Sequence, residues 1–243
     1  MRALSGGRAL VTGGGRRLGA AIAEALGEAG MDVMVSYQAS AEGAEASCAR
    51  IRAHGRRAFA ERADLYDRGA ARALVDAAAQ RLGGLDLLVL SAASYEPGSL
   101  ADIDDAGWDR TLALNLAAPF ALAQRAAPLL RASRGSMVLV TCGSRLAPHA
   151  GHLAYQASKA ALHQLMRTLA IELAPEVRVN AIAPGSVLPP DDWDEARLAQ
   201  LTARIPLARA GQARDVADAV LYLARSDWTT GTELVVDGGR STG

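Results

Sequence analysis

Short apolar runs alternate along this chain with longer segments in which apolar residues recur every three or four positions. The short runs predict strands and the longer segments predict helices, because the two structures repeat at about 2 and about 3.6 residues. The predicted strands are Arg8–Thr12, Asp32–Ser36, Arg57–Ala63, Leu85–Ser91, Ser136–Thr141, Val177–Ile182 and Glu233–Val236. The predicted helices are Leu18–Ala29, a segment ending near His54, Arg68–Leu82, Asp104–Arg131 as one long helix or a bent pair, Leu153–Ala174, a segment starting at Asp194, and Arg214–Arg225.

Strands and helices alternate from the first residues to the last, and the strands are apolar throughout rather than on one face. Continuously apolar strands are typical of a parallel sheet that is covered by helices on both faces. No linker, repeat or low-complexity segment interrupts the pattern. The sequence therefore predicts an α/β fold, namely one doubly wound domain over residues 1–243 with a seven-stranded parallel sheet.

The composition excludes several classes of function. Acidic and basic residues balance at 26 each and the sequence pI is about 6.9, so neither nucleic acid nor an anionic membrane is an expected partner. The two cysteines are too few for a disulfide framework, and no signal peptide, membrane-spanning stretch or metal-ligand spacing is visible. We therefore expect a cytoplasmic protein without a bound metal.

A glycine-rich turn, Thr12–Gly19, follows the first predicted strand and places Gly13 and Gly19 before the first helix. Glycines let the backbone approach a pyrophosphate closely, and a helix N-terminus offers free N–H donors and a favourable dipole. In doubly wound folds, ligands bind beyond the carboxyl ends of the strands. The turn therefore predicts a dinucleotide site.

Charge decides which dinucleotide is expected. An acid at the end of the second strand would hold the ribose 2′-hydroxyl of NAD, but Val35–Ser40 contains none. Arg16 and Arg17 lie instead in the glycine-rich turn, where a guanidinium pairs well with a phosphate. The sequence therefore favours NADPH over NADH as the cofactor.

The only lysine of the chain, Lys159, lies four residues after Tyr155. Residues i and i+4 share one face of a helix, so the two side chains are expected to point into the same space. A cation beside a phenol favours the tyrosinate and lowers the pKa of the phenol. The pair predicts that Tyr155 acts as a general acid near neutral pH.

Taken together, these motifs make the chain similar to the short-chain dehydrogenase/reductase family over essentially its whole length. The supporting residues are Thr12–Gly19, Asp64, Leu65, Asn115, Tyr155, Lys159, Pro184, Gly185 and Asp237–Gly239. The resemblance implies a Rossmann-type fold and hydride transfer between a nicotinamide and a carbonyl, alcohol or related group.

The resemblance also implies roles for individual residues. Tyr155 would protonate the substrate while the nicotinamide delivers hydride, and Lys159 would bind the nicotinamide ribose. Asn115 would hold a water in a proton relay that reaches Lys159. Further cofactor contacts are implied at Leu18, at Asp64 and Leu65 beside the adenine, at Ser91 and Ala92 after the fourth strand, and at Pro184, Gly185 and Ser186 beside the nicotinamide amide.

Two positions depart from the family pattern. The family usually places a serine, which hydrogen-bonds the substrate oxygen, thirteen residues before the tyrosine; Cys142 stands there, and a thiol is a weak donor. Ser144 would take over this contact only if the loop shifted by two residues. After the fourth strand, Leu90–Ala93 replaces the usual Asn-Asn-Ala-Gly.

Several residues resemble the pteridine reductase branch of the family. They are Arg17 in place of the middle glycine, Tyr37 and Ser40 after the second strand, Asn115–Phe120 and Pro184–Leu188. In that branch an aromatic residue after the fourth strand stacks on the pterin, and Tyr95 holds this place. The alternative for Tyr95 is a rim residue that shields the cofactor. Cys142 lacks the carboxylate that the branch commonly has at its position.

The segment of about residues 186–206 is expected to form a lid over the substrate. Trp193 either closes over the substrate or packs the lid onto the body of the protein. The resemblance also implies a homo-oligomer, a dimer or a tetramer. In it, Asp104–Arg131 and Leu153–Ala174 would form a dimer face, and Glu233–Gly243 would help to complete a tetramer.

The leading interpretation is an NADPH-dependent reductase of a C=O or C=N bond, with either a pteridine-like compound or a biosynthetic ketone or imine as substrate. One alternative is an NAD(P)-linked alcohol dehydrogenase, which the missing acid after the second strand disfavours. The other alternative is a non-catalytic NADPH-binding protein, which only Cys142 supports.

Overall fold

The computed structural model of the protein describes residues 1–143, 146, 148–189 and 193–242. Its strands are β1 (Arg8–Val11), β2 (Asp32–Tyr37), β3 (Ala58–Arg62), β4 (Leu87–Leu90), β5 (Ser136–Val140), β6 (Arg178–Pro184) and β7 (Glu233–Val236). Its helices are α1 (Arg17–Glu28), α2 (Ala41–Ala53), α3 (Arg68–Leu82), α4 (Asp105–Leu112), α5 (Ala118–Ser133), α6 (Leu153–Glu172), α7 (Glu195–Thr202) and α8 (Ala213–Arg225). A π turn (Ala113–Ala117) joins α4 to α5, and a 3₁₀ turn (Arg240–Thr242) follows β7.

The strands of the described residues pair in parallel within one sheet, in the order β3-β2-β1-β4-β5-β6-β7. The direction of winding reverses between β1 and β4, because β2 and β3 extend from one side of β1 and the later strands from the other. The loops after β1 and β4 therefore diverge and leave a crevice at the carboxyl ends of the strands. The seven-stranded parallel sheet predicted from the sequence is confirmed.

Helices cover both faces of the sheet with apolar side chains. One cluster of buried residues joins α3, α5 and α6 to the face that carries Leu10 and Leu88. The other joins α1, α2 and α8 to the face that carries Val11 and Val89. Successive strand residues point to opposite faces, so a sheet that is covered twice requires apolar residues at every position. This accounts for the continuously apolar runs in the sequence.

The predicted helix Asp104–Arg131 is a bent pair, α4 and α5, with the π turn between them. Such turns occur frequently at functional sites, and this one carries Asn115. The predicted lid helix is α7, and the carboxylate of Asp194 caps its N-terminus by accepting a hydrogen bond from the N–H of Arg197 at 2.7 Å.

Neither a membrane span nor a metal cluster is found in the part of the chain that the structure describes. No helix there has the length and apolar character that crossing a bilayer requires. Nor do three or more His, Cys, Asp or Glu side chains come together there in a way that would hold a metal ion.

Candidate active site

Close backbone contacts shape the turn between β1 and α1. A Cβ on Gly19 would lie 2.2 Å from the carbonyl oxygen of Gly13, and a Cβ on Gly13 would lie 3.1 Å from the Cα of Ala92. Thr12 holds the loop after β4 against this turn, since its Oγ1 accepts hydrogen bonds from the N–H groups of Ser91 (3.0 Å) and Ala92 (3.1 Å). The two loops therefore form the walls of one crevice.

The first turn of α1 presents its backbone donors to this crevice. Arg16 is the N-cap residue, no described side chain caps the helix, and the first turn contains no acid. Uncapped N–H groups at a helix N-terminus attract anions. Arg17 has a φ of 49°, in the left-handed region that favours glycine, which explains why the family pattern has a glycine at this position.

A cavity of about 360 Å³ lies over the turn. Its walls include many of the residues predicted to bind the cofactor, namely Gly13, Arg16, Arg17, Leu18, Gly19, Tyr37, Ser40, Leu65, Ser91 and Ala92. Gln38 and Ala39 also line it; sequence analysis did not single them out, although they follow Tyr37 directly. Asp64 is exposed and is not among the lining residues. Its Oδ1 accepts hydrogen bonds from Gln38 Nε2 (3.2 Å) and from the N–H of Tyr66 (3.1 Å).

A larger cavity, of about 600 Å³, adjoins the first. Arg17, Leu18, Ser91 and Ala93 line both, so the two cavities form one elongated cleft. The other predicted site residues in the walls of the larger cavity are Tyr95, Cys142, Tyr155, Lys159, Pro184, Gly185, Ser186 and Trp193. Ser144 lies outside the described residues.

Tyr155 and Lys159 lie one turn apart on α6, and both line the larger cavity. Lys159 Nζ lies 5.7 Å from the centroid of the Tyr155 ring and donates a hydrogen bond to the carbonyl oxygen of Val140 at 2.8 Å. Only 3% of Lys159 is exposed. Burial lowers the pKa of Lys159 to about 8, so this ammonium is close to losing its proton at mildly alkaline pH.

The sequence-based expectation that the pKa of Tyr155 is lowered is wrong for this structure. Burial raises the pKa of Tyr155, and electrostatic interactions with Cys142 and Tyr95 raise it further. A buried phenolate loses its solvation, and the ammonium of Lys159, 5.7 Å from the ring centroid, does not reverse this shift. Tyr155 is therefore protonated at neutral pH and has a proton to donate.

Asn115 is fully buried, and its side chain joins two parts of the site. Its Oδ1 accepts a hydrogen bond from the N–H of Ser94 (2.9 Å), and its Nδ2 donates to the carbonyl oxygen of Ser94 (3.1 Å) and to Ser158 Oγ (3.1 Å). Ser94 precedes Tyr95, and Ser158 precedes Lys159. The amide therefore ties the loop that carries Tyr95 to α6. The water relay from Asn115 to Lys159 stays a prediction.

An aromatic cluster stands beside Tyr155. The Tyr95 ring stacks on His152 with centroids 4.1 Å apart and 12° between the planes, and it meets the Tyr155 ring edge to face at 4.7 Å. His149 meets His152 at 5.4 Å. His152 therefore covers one face of Tyr95, leaving a single face for a planar ligand. Sequence analysis missed this contact, for which the position of His152, three residues before Tyr155, was the only signal.

The segment predicted to form the lid adds apolar side chains to the larger cavity. Those from the lid and α7 are Val187, Leu188, Pro189, Trp193 and Leu201. The Arg17 guanidinium donates a hydrogen bond to the carbonyl oxygen of Leu188, which joins the lid to the glycine-rich turn. The guanidinium carbon of Arg197 lies 4.2 Å from the centroid of the Trp193 ring. Trp193 thus packs within the lid and also faces the cleft.

Arg240 is a further cavity residue that sequence analysis did not identify. It lines the larger cavity from the 3₁₀ turn near the C-terminus, and its guanidinium donates a hydrogen bond to Ser186 Oγ. The available signal was its place directly after Asp237–Gly239, a segment that the family resemblance had already marked.

The chain is similar to known proteins over nearly its whole length. Residues 14–241 match the family model described as enoyl-(acyl carrier protein) reductase. The chain is 34% identical over 237 residues to the 3-oxoacyl-[acyl-carrier-protein] reductase of Staphylococcus aureus, covering 95% of this chain and 96% of that protein. It is 40% identical to a short chain dehydrogenase from Burkholderia cenocepacia in complex with NADP, with a TM-score of 0.92 and 100% of both chains covered. It is 34% identical to the FolM alternative dihydrofolate reductase 1 of Brucella canis complexed with NADP, with a TM-score of 0.91 over 100% of this chain and 97% of that one.

Proposed function

This chain belongs to the short-chain dehydrogenase/reductase family, and on that premise we propose that it reduces a C=O or C=N bond of a small molecule with NADPH. It is an NADP-dependent oxidoreductase, and Tyr155 is the proposed proton donor. The observation that carries the proposal is the placement of Tyr155, which lines the wall of the cleft beside the only lysine of the chain, with Lys159 Nζ 5.7 Å from the ring centroid.

The cleft suits an elongated dinucleotide with an extra phosphate. The smaller cavity would hold the adenosine half, and Arg16, which lines that cavity with Tyr37 and Ser40, would pair with the 2′-phosphate. The uncapped start of α1 would hold the pyrophosphate, and Pro184–Ser186 would hold the nicotinamide amide. When bound, this cofactor supplies a hydride to the substrate carbon.

The proton chemistry belongs to side chains of α6. Tyr155 carries its proton on Oη at neutral pH and would donate it to the substrate oxygen or nitrogen. Lys159, which is charged below about pH 8, would stabilise the phenolate that remains and bind the nicotinamide ribose. Cys142 lines the same cavity as Tyr155 and would meet the substrate there.

Cys142 favours a C=N substrate over a ketone. Ketone reduction develops negative charge on oxygen, which a strong hydrogen-bond donor must stabilise, and a thiol is a weak donor. Reduction of a cyclic imine forms no oxyanion. The names of the relatives point to both classes, because one is a 3-oxoacyl reductase and another a dihydrofolate reductase. Stacking of a pterin would use the face of Tyr95 that His152 leaves open.

The test is loss of NADPH absorbance with dihydropterins, cyclic imines and ketones, using Tyr155→Phe as the blank. We expect at least one class to turn over, and Tyr155→Phe to lower kcat by about 100-fold or more, the range of general acid catalysis. The NADPH Kd of the variant should stay within about 2-fold of the wild type, since the ring remains. Full activity in Tyr155→Phe would contradict the proposal.

The same assay separates the alternatives. NADPH binding without turnover of any substrate would indicate a binding protein. Oxidation of alcohols with NAD in preference to any reduction with NADPH would indicate an alcohol dehydrogenase.

We also propose that the protein is a homo-oligomer. Helices α4, α5 and α6 expose large apolar side chains in the single chain, between 36% and 80% of their surface, at Trp108, Phe120, Leu153 and Ile171. Such side chains are commonly covered by a second subunit in closed symmetric assemblies. Light scattering would test this, and a monomer at micromolar concentration would contradict it.

A further inference from the structure

The larger cavity has three lysine or arginine side chains among its described walls, and one of them has no role in the proposed chemistry. Lys159 stands beside Tyr155. Arg17 belongs to the glycine-rich turn and lines the smaller cavity as well. Arg240 lines the larger cavity and not the smaller one. It is the cation that cofactor binding and proton transfer leave unassigned.

The turn after β7 fixes Arg240 in the cavity wall. The carboxylate of Asp237 accepts hydrogen bonds from the N–H groups of Gly239 (2.9 Å) and Ser241 (2.8 Å), on either side of Arg240 in the chain. The Arg240 guanidinium, which is half-buried, donates to Ser186 Oγ. A guanidinium has five N–H donors, so one contact with a hydroxyl leaves donors available for an anion.

Arg240 lies towards the substrate end of the cleft. Arg240 and Tyr95 both line the larger cavity, and neither lines the smaller one. Apolar side chains of the lid, Leu188, Pro189, Trp193 and Leu201, line the same cavity. Charges interact more strongly beside such a surface than in water, because the effective dielectric constant is lower.

We propose that Arg240 binds a carboxylate of the substrate, so that the enzyme reduces a C=O or C=N bond in a small carboxylate-bearing compound. The reacting bond rests on the proposed function, whereas the anion site does not. Guanidinium and carboxylate pair through two parallel hydrogen bonds. Such a pair orients the substrate as well as holding it, which a neutral donor at this position would do less well.

The first experiment compares two ketones that differ in charge, benzoylformate and its methyl ester, in the wild type and in Arg240→Gln. We expect the variant to lower kcat/KM for benzoylformate by about 10- to 100-fold, as for the loss of a charge-assisted hydrogen bond. The ester should change by less than about 3-fold. Arg240→Lys should recover part of the lost kcat/KM for benzoylformate, because lysine keeps the positive charge but lacks the paired N–H donors of a guanidinium.

The same comparison separates anion binding from a role in holding Ser186. If Arg240 only positions Ser186, the variant should weaken NADPH binding and lower the rates of both ketones equally, which would overturn the proposal. An unchanged rate for benzoylformate would overturn it as well. Arg68→Gln is the matched control, since it removes one positive charge from an exposed residue of α3 outside both cavities.

A second experiment needs no turnover. Calorimetry would measure the Kd of benzoate and of benzamide for the enzyme saturated with NADP⁺. We expect benzoate to bind the wild type about 10-fold or more tightly than it binds Arg240→Gln, with benzamide insensitive to the substitution. Equal benzoate affinity in both proteins, or no benzoate binding to the wild type, would overturn the proposal. Arg240-dependent benzoate binding in an enzyme that turns over no substrate would retain the anion site and reject the proposed function.

Discussion

Tyr155 on α6 and Cys142, which follows β5 by two residues, line the wall of the same cavity, and Cys142 raises the pKa of the Tyr155 phenol. The proposed proton donor therefore shares the cavity wall with the residue at the position where the family usually has a serine that binds the substrate oxygen. A thiol, which is a weak hydrogen-bond donor, has to meet the substrate there. We therefore expect the hydrogen-bond donor strength of residue 142 to affect ketone reduction and to leave imine reduction nearly unchanged.

Replacing Cys142 by Ser should improve ketone reduction. A hydroxyl is a stronger donor than a thiol, and a neutral hydrogen bond contributes about 0.5–1.5 kcal/mol, so kcat/KM for ketones should rise by about 2- to 10-fold. The kcat/KM for cyclic imines should change by less than about 2-fold, because their reduction forms no oxyanion. Steady-state kinetics on both classes is the measurement. Cys142→Ala is the control, and it should lower ketone reduction. Equal effects on ketones and imines would show that residue 142 acts only through Tyr155.

NADPH affinity should depend on pH through Lys159. Burial lowers the pKa of Lys159 to about 8, so the ammonium is present below this pH and is lost as the pH rises through it. If the charged form binds the ribose, the NADPH Kd should rise by about 2- to 10-fold between about pH 7 and about pH 9.5. Titrations that follow NADPH fluorescence at each pH would measure this Kd. Lys159→Met should give a flat profile, and Tyr155→Phe should keep the wild-type profile. A profile in Lys159→Met that matches the wild type would assign the titration to another group.

Arg16 and Arg17 should differ in what they contribute to cofactor choice. Arg16 lines the smaller cavity but not the larger one. Arg17 lines both cavities and donates a hydrogen bond to the Leu188 carbonyl oxygen. Arg16→Gln should therefore raise the Kd of NADPH by about 10- to 100-fold, the effect of losing a charge-assisted hydrogen bond. The Kd of NADH should stay within about 2-fold. Arg17→Gln should weaken both cofactors. Fluorescence titration would measure the Kd of both cofactors for each variant. An equal loss of affinity for NADPH and NADH in Arg16→Gln would contradict the separate roles of Arg16 and Arg17.

Glu233 should be important for stability. Only 4% of its side chain is exposed; it accepts a hydrogen bond from Thr141 Oγ1 at 2.7 Å and lies 3.0 Å from His163 Nδ1. Losing a hydrogen bond to a buried charged acceptor costs about 1.5–3 kcal/mol, so Glu233→Ala should lower Tm by about 3 to 12 °C. Asp218→Ala is the control. Asp218 pairs with Arg214 on the surface, and its loss should lower Tm by less than about 3 °C. Thermal unfolding of the two variants measures the difference, and equal shifts would contradict the expectation.

The elements of this protein follow from local sequence. Apolar runs such as Leu85–Ser91 predict buried strands, because both faces of a covered parallel sheet need apolar side chains. The glycine-rich turn between β1 and α1 was visible from Gly13 and Gly19. The shared wall of Tyr155 and Lys159 follows from the four-residue spacing on one helix. These features depend on neighbours within a few positions, and the sequence displays such neighbours directly.

The state of the site was decided by contacts between distant segments. The pKa of Tyr155 is raised rather than lowered because the fold buries the ring and places Cys142 and Tyr95 in the same cavity wall. His152 covers one face of Tyr95, and Arg240 enters the cleft from the C-terminal turn. Periodicity predicts which segments form strands and helices. It does not predict how deeply a side chain is buried or which loops meet, because desolvation and charge interactions depend on distances that only packing sets. The sequence by itself therefore determined the fold class and the candidate chemistry. The tertiary structure decided the direction in which the pKa of Tyr155 shifts and brought the charge of Arg240 into the cleft.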